Sequence, residues 1–313
     1  MSRAEELSTP AGSLTLDRLT GDEFPALARA LAGAGRAAAT DAAVLILGEP
    51  GTGRSTFARA LHRASPRRGG PLVEIDPGAI PATLFESELF GWRPGAFTGA
   101  ETGGTGRVAR AERGTLVLDH VEELPLAVQP KLLRLVAERR YAPLAGDERP
   151  ADVRFVALGP PDLLRRVERG AFREDLYYRL EVIAFRLPAL RERRGELDAV
   201  CRALLADLGE RFGRRPELSA ETREWMADHP WPGNLTQLRN LLERELVLTD
   251  GELLSPGPPA DFPGAGLRTL REVEIDHILR TLAHTRGHQG RAAELLGISR
   301  KALWEKRKRY GIP

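Results

Sequence analysis

Gly48-Glu49-Pro50-Gly51-Thr52-Gly53-Arg54-Ser55 lies between the apolar run Ala42–Leu47 and a helical pattern at Thr56–Ala64. Strand, glycine-rich loop and helix in that order is the setting a phosphate-cradling loop requires. Glycines let backbone N–H groups turn toward phosphate oxygens, and the helix N-terminus adds a favourable dipole. Gly48 through Thr56 are therefore the candidate nucleotide-binding residues, with ATP as the nucleotide, and Ser55 is placed to reach Mg2+. Position 54 departs from the pattern, because Arg stands where the motif has Lys. Arg keeps the charge but carries a wider planar head with a different reach, so weaker nucleotide binding is expected.

Working outward, apolar runs recur at Leu72–Ile75, Thr115–Leu118, Val153–Leu158 and Val182–Phe185. Helical patterns such as Pro130–Arg139 separate them, and an alanine-rich helical stretch from Glu23 to about Thr40 precedes them all. Continuous apolar runs read as buried parallel strands, so the expected fold class is α/β, a parallel sheet flanked by helices. After Leu187-Pro188 the strands stop, and about 195–249 reads as helices only, which predicts a helical lid. Pro256, Pro258, Pro259, Pro263 and several glycines mark 250–266 as a linker. Residues 267–313 are helical again, a separate all-α domain. The expected division is a short segment 1–20, a core 21–190, a lid 191–249, the linker 250–266 and the terminal domain 267–313. The opening 20 residues are too few for a sensory domain.

A chain of 313 residues, 42% hydrophobic and 29% charged, suits one large domain or two smaller ones with a proper core. Cys201 is the only cysteine, which rules out an intrachain disulfide, fits a reducing cytoplasm and reads as a small buried apolar residue. No apolar run is long enough to span a bilayer and no signal peptide opens the chain, so a membrane partner is not expected. The net charge of +2 hides an asymmetry. Eleven Lys and Arg against five Asp and Glu leave 267–313 at +6, and the rest of the chain at −4. A basic tail on a mildly acidic body points to an anionic partner, nucleic acid first.

Between the second and third strands stands Glu86-Ser87-Glu88-Leu89-Phe90-Gly91, followed by Gly95-Ala96-Phe97-Thr98-Gly99-Ala100. Two glycines and a threonine around one aromatic make a permissive loop that presents Phe97 outward. This hexapeptide and its lead-in resemble the partner-contact loop of the bacterial enhancer-binding proteins, ring-shaped AAA+ ATPases that activate RNA polymerase carrying sigma-54. The resemblance covers most of residues 20–313. It implies an AAA+ P-loop core with a helical lid, and a ring, homo- or hetero-oligomeric, with sigma-54 RNA polymerase holoenzyme as partner. It also implies that Asp119, closing Leu116-Val117-Leu118-Asp119, is a second magnesium ligand. Phe172-Arg173-Glu174-Asp175-Leu176-Tyr177-Tyr178-Arg179-Leu180 resembles the family's arginine-finger segment, so Arg173 and Arg179 would reach into a neighbour's ATP site. An arginine finger is worth ~10³–10⁵ in rate.

Several positions depart from the family pattern. His120 stands where the family has the Glu that activates water, and loss of a well-placed base costs ~10²–10⁴. Gly159-Pro160 replaces a polar Thr-Asn pair that senses the terminal phosphate. Asp76 replaces an Asn that relays nucleotide state. The lid's Trp231-Pro232-Gly233-Asn234 matches, but Thr236 replaces a nucleotide-contacting Arg. The candidate catalytic residues are thus Asp119, His120, Arg173 and Arg179, with Ser55 and Asp119 for metal.

Residues 267–313 resemble the Fis-type helix-turn-helix that ends this family. Leu267–Thr285 reads as a long helix whose Leu270, Val273, Ile278 and Leu282 suit a dimer face. Gly297 supplies the turn and Ser299 the N-cap of a recognition helix Arg300–Tyr310. Arg291, Ser299, Arg300, Lys301, Trp304, Lys306 and Arg307 are the candidate DNA residues. Arg300 and Lys301 are expected nearest the bases, Arg309 also faces outward, and Trp304 is expected to pack on other helices. The target is double-stranded DNA with an inverted repeat.

The leading expectation is a cytoplasmic, DNA-binding regulator of sigma-54 transcription. In one version it hydrolyses ATP slowly by itself, with His120 or another group helping. In the other it binds nucleotide, hardly turns it over, and lends Arg173, Arg179 and the 95–100 loop to competent subunits in a mixed ring. Intact outward groups beside altered inward ones favour the second. A non-enzymatic repressor or anti-activator is the alternative from another class.

Overall fold

The computed structural model describes residues 15–258, 274–275, 277–279, 281–282, 285 and 288–310. Val44–Leu47 (β1), Leu72–Ile75 (β2), Thr115–Leu118 (β3), Arg154–Gly159 (β4) and Ile183–Arg186 (β5) form one sheet of order β2-β3-β4-β1-β5. Every pairing in it is parallel. Alternate residues feed two apolar layers. Val44, Ile46, Val117, Val156 and Leu158 face one, with Phe57 and Leu61 of the helix Arg54–Arg63. Leu45, Leu47, Leu116, Leu118 and Phe155 face the other, with Phe85 and Leu89 of Ala82–Phe90 and Leu132 and Leu135 of Gln129–Glu138. Burial on both faces explains why the inner strands β1 and β3 are almost wholly apolar, while the edge strands β2 and β5 are partly exposed and carry Glu74 and Arg186. The observed strands shift by one or two residues from the expected bounds at β1, β4 and β5.

Glu23–Thr40 is not one helix. Pro25–Ala30 and Ala34–Ala38 are separated at Gly33, which sits at φ 86, a left-handed conformation that interrupts a helix. Arg154, fully buried in β4, donates to the Ala37 and Ala38 carbonyls at 2.8 and 3.1 Å and so ties the second of these helices to the sheet.

The lid comprises Leu197–Phe212, Ala220–Asp228 and Asn234–Leu248. It is not purely helical, because Glu217–Leu218 pairs in parallel with Leu253–Leu254. Leu254 is buried in the core shared by the lid and the sheet, and the Pro256 carbonyl accepts from Trp225 Nε1 at 3.0 Å. The first residues of the expected linker are therefore packed on the lid. Cys201 is buried there, which pushes its thiol up to about 12 and leaves it an inert core residue.

The chain divides into two units, 1–256 and 257–313. In the second, Gln289–Leu295 and Arg300–Tyr310 pack Ala292, Ala293 and Leu303 against Ile278. Most of the expected helix Leu267–Thr285, with Leu270 and Val273, lies outside the described residues, as do residues 1–14. Ile278 and Leu282 belong to this unit's own core rather than to a free dimer face. No helix among the described residues is long and apolar enough to cross a membrane.

Candidate nucleotide site, partner loop and nucleic-acid interface

β1 lies between β4 and β5, so the strand order reverses beside it. Open parallel sheets bind ligands at the carboxyl ends of strands at such a switch point. The residues that follow those strand ends are Gly48 after β1, Asp76 after β2, and Asp119 with His120 after β3. Gly51 and Gly53 take φ 78 and 97, which opens the loop and starts the helix Arg54–Arg63 directly behind it. The Ser55 hydroxyl donates to Asp119 Oδ2 at 3.3 Å. Hydroxyl and carboxylate are hard oxygen donors of the kind Mg2+ takes alongside water and phosphate. Among the described residues no cluster of three or more His, Cys, Asp or Glu could hold a metal by itself. Two oxygen donors beside the phosphate loop could contribute to holding Mg2+ together with water and phosphate.

Arg54 is almost fully buried at 7% exposure. One terminal nitrogen donates to the Gly48 carbonyl at 3.1 Å, and the other stands 3.9 Å from Asp119 Oδ1. The long guanidinium thus spans from the loop to the Asp119 carboxylate. His120 takes φ 45 and ψ 51, left-handed for a residue with a side chain, at a cost on the order of 1–3 kcal/mol. Its Nδ1 lies 3.1 Å from Asp76 Oδ2. Asp76 and His120, two separate departures in the sequence, meet in the fold.

At the end of β4, Gly159 leaves only a tight space for a side chain. A Cβ there would come within 3.1 Å of Val121 Cγ2 and 3.2 Å of Leu163 Cδ2. The lid closes directly on the phosphate loop, since Leu235 N donates to the Gly51 carbonyl at 2.9 Å. A Cβ on Gly51 would stand 2.4 Å from the Gly233 carbonyl oxygen. Between loop and lid is a cavity of about 450 Å³. Leu19, Phe24, Leu27 and Leu31 give it an apolar end, while Ser55, Asp119 and His120 give it a polar one.

Four residues of the site escaped the sequence reading. Buried Asn234 donates from Nδ2 to Glu49 Oε2 at 3.2 Å and to the Pro50 carbonyl at 3.0 Å, and accepts from Leu190 N at 2.7 Å. Arg191 grips Glu49 with two bonds of 2.7 and 2.5 Å, and this holds the Glu49 carboxyl below its usual range. Arg239 lines the cavity one helical turn beyond Thr236, paired with Asp207 at 2.8 Å. Glu122, half-buried, has one carboxyl oxygen with no hydrogen-bond partner. Burial pushes this carboxyl up, against the pull of its own backbone N–H and of Arg54, His120 and Arg166. Only the Trp-Pro-Gly-Asn run offered a signal for any of these.

The 95–100 loop rides on a short antiparallel hairpin, Gly91–Trp92 against Gly104–Thr105. Gly95 and Gly99 take φ 82 and 95, and Gly95 N donates to the Ala100 carbonyl at 2.8 Å, closing the loop on itself. Phe97 remains 44% exposed, leaning on Trp92 with ring centroids 5.8 Å apart. Arg173 and Arg179 are both exposed. Arg173 is held by Asp175 at 2.6 Å and begins the helix Glu174–Leu180, while Arg179 donates to the Ala137 carbonyl at 3.0 Å.

In the terminal unit Gly297 takes φ 68, and Ser299 Oγ accepts from Ala302 N at 3.1 Å as an N-cap. Arg291, Arg300 and Lys301 are exposed, as is Arg309. Lys306 and Arg307 are half-buried, with Lys306 paired to Glu274, so they turn toward their own unit rather than outward. Trp304 is not packed on neighbouring helices among the described residues. It is 55% exposed, with the Lys308 ammonium 5.4 Å from its ring centre.

A P-loop sheet whose helical lid docks on the phosphate loop defines an AAA+ ATPase fold, here followed by a helix-turn-helix unit. Residues 21–186 match the Sigma-54 interaction domain, 191–261 the AAA+ ATPase lid domain and 269–310 the Bacterial regulatory protein, Fis family. The chain belongs to the bacterial enhancer-binding family that carries the sigma-54 interaction domain. It is 43% identical to the C4-dicarboxylate transport transcriptional regulatory protein DctD of Rhizobium meliloti (strain 1021), over 87% of this chain and 60% of that protein. It is 42% identical to the alginate biosynthesis transcriptional regulatory protein AlgB of Pseudomonas aeruginosa, over 92% of this chain and 66% of that protein. The chain thus spans somewhat under two thirds of these two relatives. Among solved structures it resembles NtrX from Brucella abortus in complex with ATP, with TM-score 0.68 and 28% identity over 92% of this chain and 68% of that one.

Proposed function

We propose that this protein is a cytoplasmic, ATP-dependent regulator of transcription by sigma-54 RNA polymerase, acting as a ring bound to inverted-repeat DNA. The observation that carries the reading is Phe97, 44% exposed at the tip of a glycine-hinged loop on the same core that holds the phosphate loop. ATP fits the cavity between loop and lid, with its base toward Phe24 and Leu27 and its phosphates on Gly51–Ser55. Ser55 and Asp119 would hold Mg2+, which neutralises phosphate charge when bound. Arg173 and Arg179 are exposed and serve the site of the adjacent subunit, in a ring of this chain alone or mixed with a relative. Gly159, Pro160 and Thr236 offer the nucleotide little beyond backbone and one hydroxyl, so turnover is slow. The bond between Asp76 and His120 favours the version in which the chain hydrolyses ATP itself.

The test is transcription from a sigma-54 promoter carrying the DNA site. Phe97→Ala is expected to keep ATP and DNA binding and to lower activation about 30-fold, the effect of losing a central aromatic anchor. Activation unchanged in that variant refutes the loop's role. Repression that survives it supports the anti-activator reading.

A further inference from the structure

Arg191, Glu192, Arg193 and Arg194 follow one another, and only Arg193 is buried. It leaves helical geometry at φ −118 and ψ 31 within Leu190–Glu196, and its side chain is 3% exposed. Its Nε donates to Glu196 Oε2 at 2.6 Å. The other oxygen of Glu196 accepts from Ala26 N and Leu27 N, in the first turn of the helix Pro25–Ala30. The guanidinium carbon lies 5.8 Å from the centre of the Phe24 ring. Arg193, Phe24 and Leu27 all line the cavity between loop and lid. The two terminal nitrogens are the unmet part of this arrangement. A guanidinium only donates, and among the described residues neither Nη1 nor Nη2 has a hydrogen-bond partner. Neither is sealed from open space, unlike the Nε atoms of Arg107 and Arg154. The open space that Arg193 lines is the apolar end of the nucleotide cavity, beside Phe24. Donors left without acceptors in apolar surroundings are costly, so a ligand that brings an acceptor there gains from it.

We infer that Arg193 reads the base of the bound nucleotide, donating from a terminal nitrogen to an acceptor nitrogen of the purine ring. This rests on nucleotide binding in the cavity with the base toward Phe24. Phosphates belong at the opposite end, on Gly51–Ser55, so the base is the part of the ligand that meets the guanidinium. Leu19, Phe24, Leu27 and Leu31 make an apolar slot that any flat ring could enter. Arg193 adds the one feature there that depends on where the ring carries its lone pairs. Glu196 takes the Nε side of the planar guanidinium, which leaves the terminal pair for the ligand. Because Glu196 also holds the helix that follows Phe24, one ion pair fixes both the slot and the group that reads what lies in it. Glu196 is the positioning residue and Arg193 the one that touches the ligand.

The experiment is equilibrium competition on the full chain, with unlabelled nucleotides displacing a fluorescent ATP analogue. The compounds 1-deaza-, 3-deaza- and 7-deaza-ATP each replace one ring acceptor by C–H. One of the three should bind the wild type about 10–100-fold more weakly than ATP does, the effect of losing a hydrogen bond to a charged group. Arg193→Met keeps the side chain's bulk and removes the donors. It should bind ATP about 10–100-fold more weakly and no longer distinguish that analogue from ATP. Arg193→Lys keeps a cation beside Glu196 in case the Met variant does not fold, and it should lose the same discrimination. The analogue series on the wild type decides the matter even if both variants unfold. Equal affinity of the wild type for ATP and all three analogues overturns the assignment. So does discrimination that persists undiminished in Arg193→Lys, or a loss confined to 2′-deoxy-ATP, which would put the guanidinium on the ribose. A wild type that binds no ATP instead defeats the functional reading beneath it.

Discussion

Arg54 donates to the Gly48 carbonyl at 3.1 Å and lies 3.9 Å from Asp119, so ATP must draw it from its own loop before it can serve a phosphate. Arg54→Ala is expected to lower ATP affinity about 10–100-fold, the range for one charge-assisted hydrogen bond to a buried partner. Arg54→Lys should bind ATP at least as well as the wild type, since the ammonium has fewer donors to satisfy on the protein. Titration with a fluorescent ATP analogue decides both, and equal affinity in Arg54→Ala contradicts the placement. Residue identity was legible in the sequence here, because a motif fixes which type belongs at 54, 120 and 159. Partnership was not. Asp76 and His120 are 44 positions apart and meet only because β2 and β3 are adjacent. Nothing in the sequence singles out Glu122, and only packing around the turn Val121–Glu123 buries one of its oxygens.

The lid helix Asn234–Leu248 begins at a residue held at φ 50, and the Asn234 side chain bonds Glu49, Pro50 and Leu190 at once. One amide therefore joins the phosphate loop, the start of the lid and the segment that enters it. Asn234→Ala removes all three bonds and leaves the buried Leu190 N–H without an acceptor, so a loss of about 2–4 kcal/mol is expected. Chemical denaturation measures it, and ATP should stabilise the variant less than it stabilises the wild type, because the loop has lost its Asn234 anchor. A loss below about 1 kcal/mol would show that Arg191 alone secures Glu49. At this level the sequence told element types well and interruptions poorly. The sheet was readable because five short, mostly apolar runs alternating with helical patterns leave few other fates. The break at Gly33 and the pair Glu217–Leu218 with Leu253–Leu254 were not. Two-residue strands carry no periodicity, and a glycine in an alanine-rich helix announces a stop only when its φ is known.

Charge and unit boundaries coincide: the +6 of 267–313 falls within the second unit, 257–313, and the larger unit keeps the nucleotide cavity and the Phe97 loop. Such a division lets each half be tested against its own ligand. A fragment of residues 1–256 should bind ATP with wild-type affinity and show no specific DNA binding, whereas the full chain should bind an inverted-repeat duplex. The full chain's log affinity should fall linearly with log salt, at a slope near −0.9 for every phosphate neutralised. Exposure separates the basic residues expected to contribute to that slope from those expected not to. Arg300 and Lys301 are exposed at the start of Arg300–Tyr310, and replacing either by Ala should make the slope shallower by about 1 or relax sequence preference. Lys306 is committed to Glu274, which Tyr310 also engages at 2.5 Å, so Lys306→Ala should loosen the terminal unit and leave the slope unchanged. Trp304, exposed on the same helix, should cost affinity without altering the slope when replaced by Ala, because an indole contacts sugar or base without displacing a counterion. Equal slopes across all four variants would place the DNA on a different face of this unit.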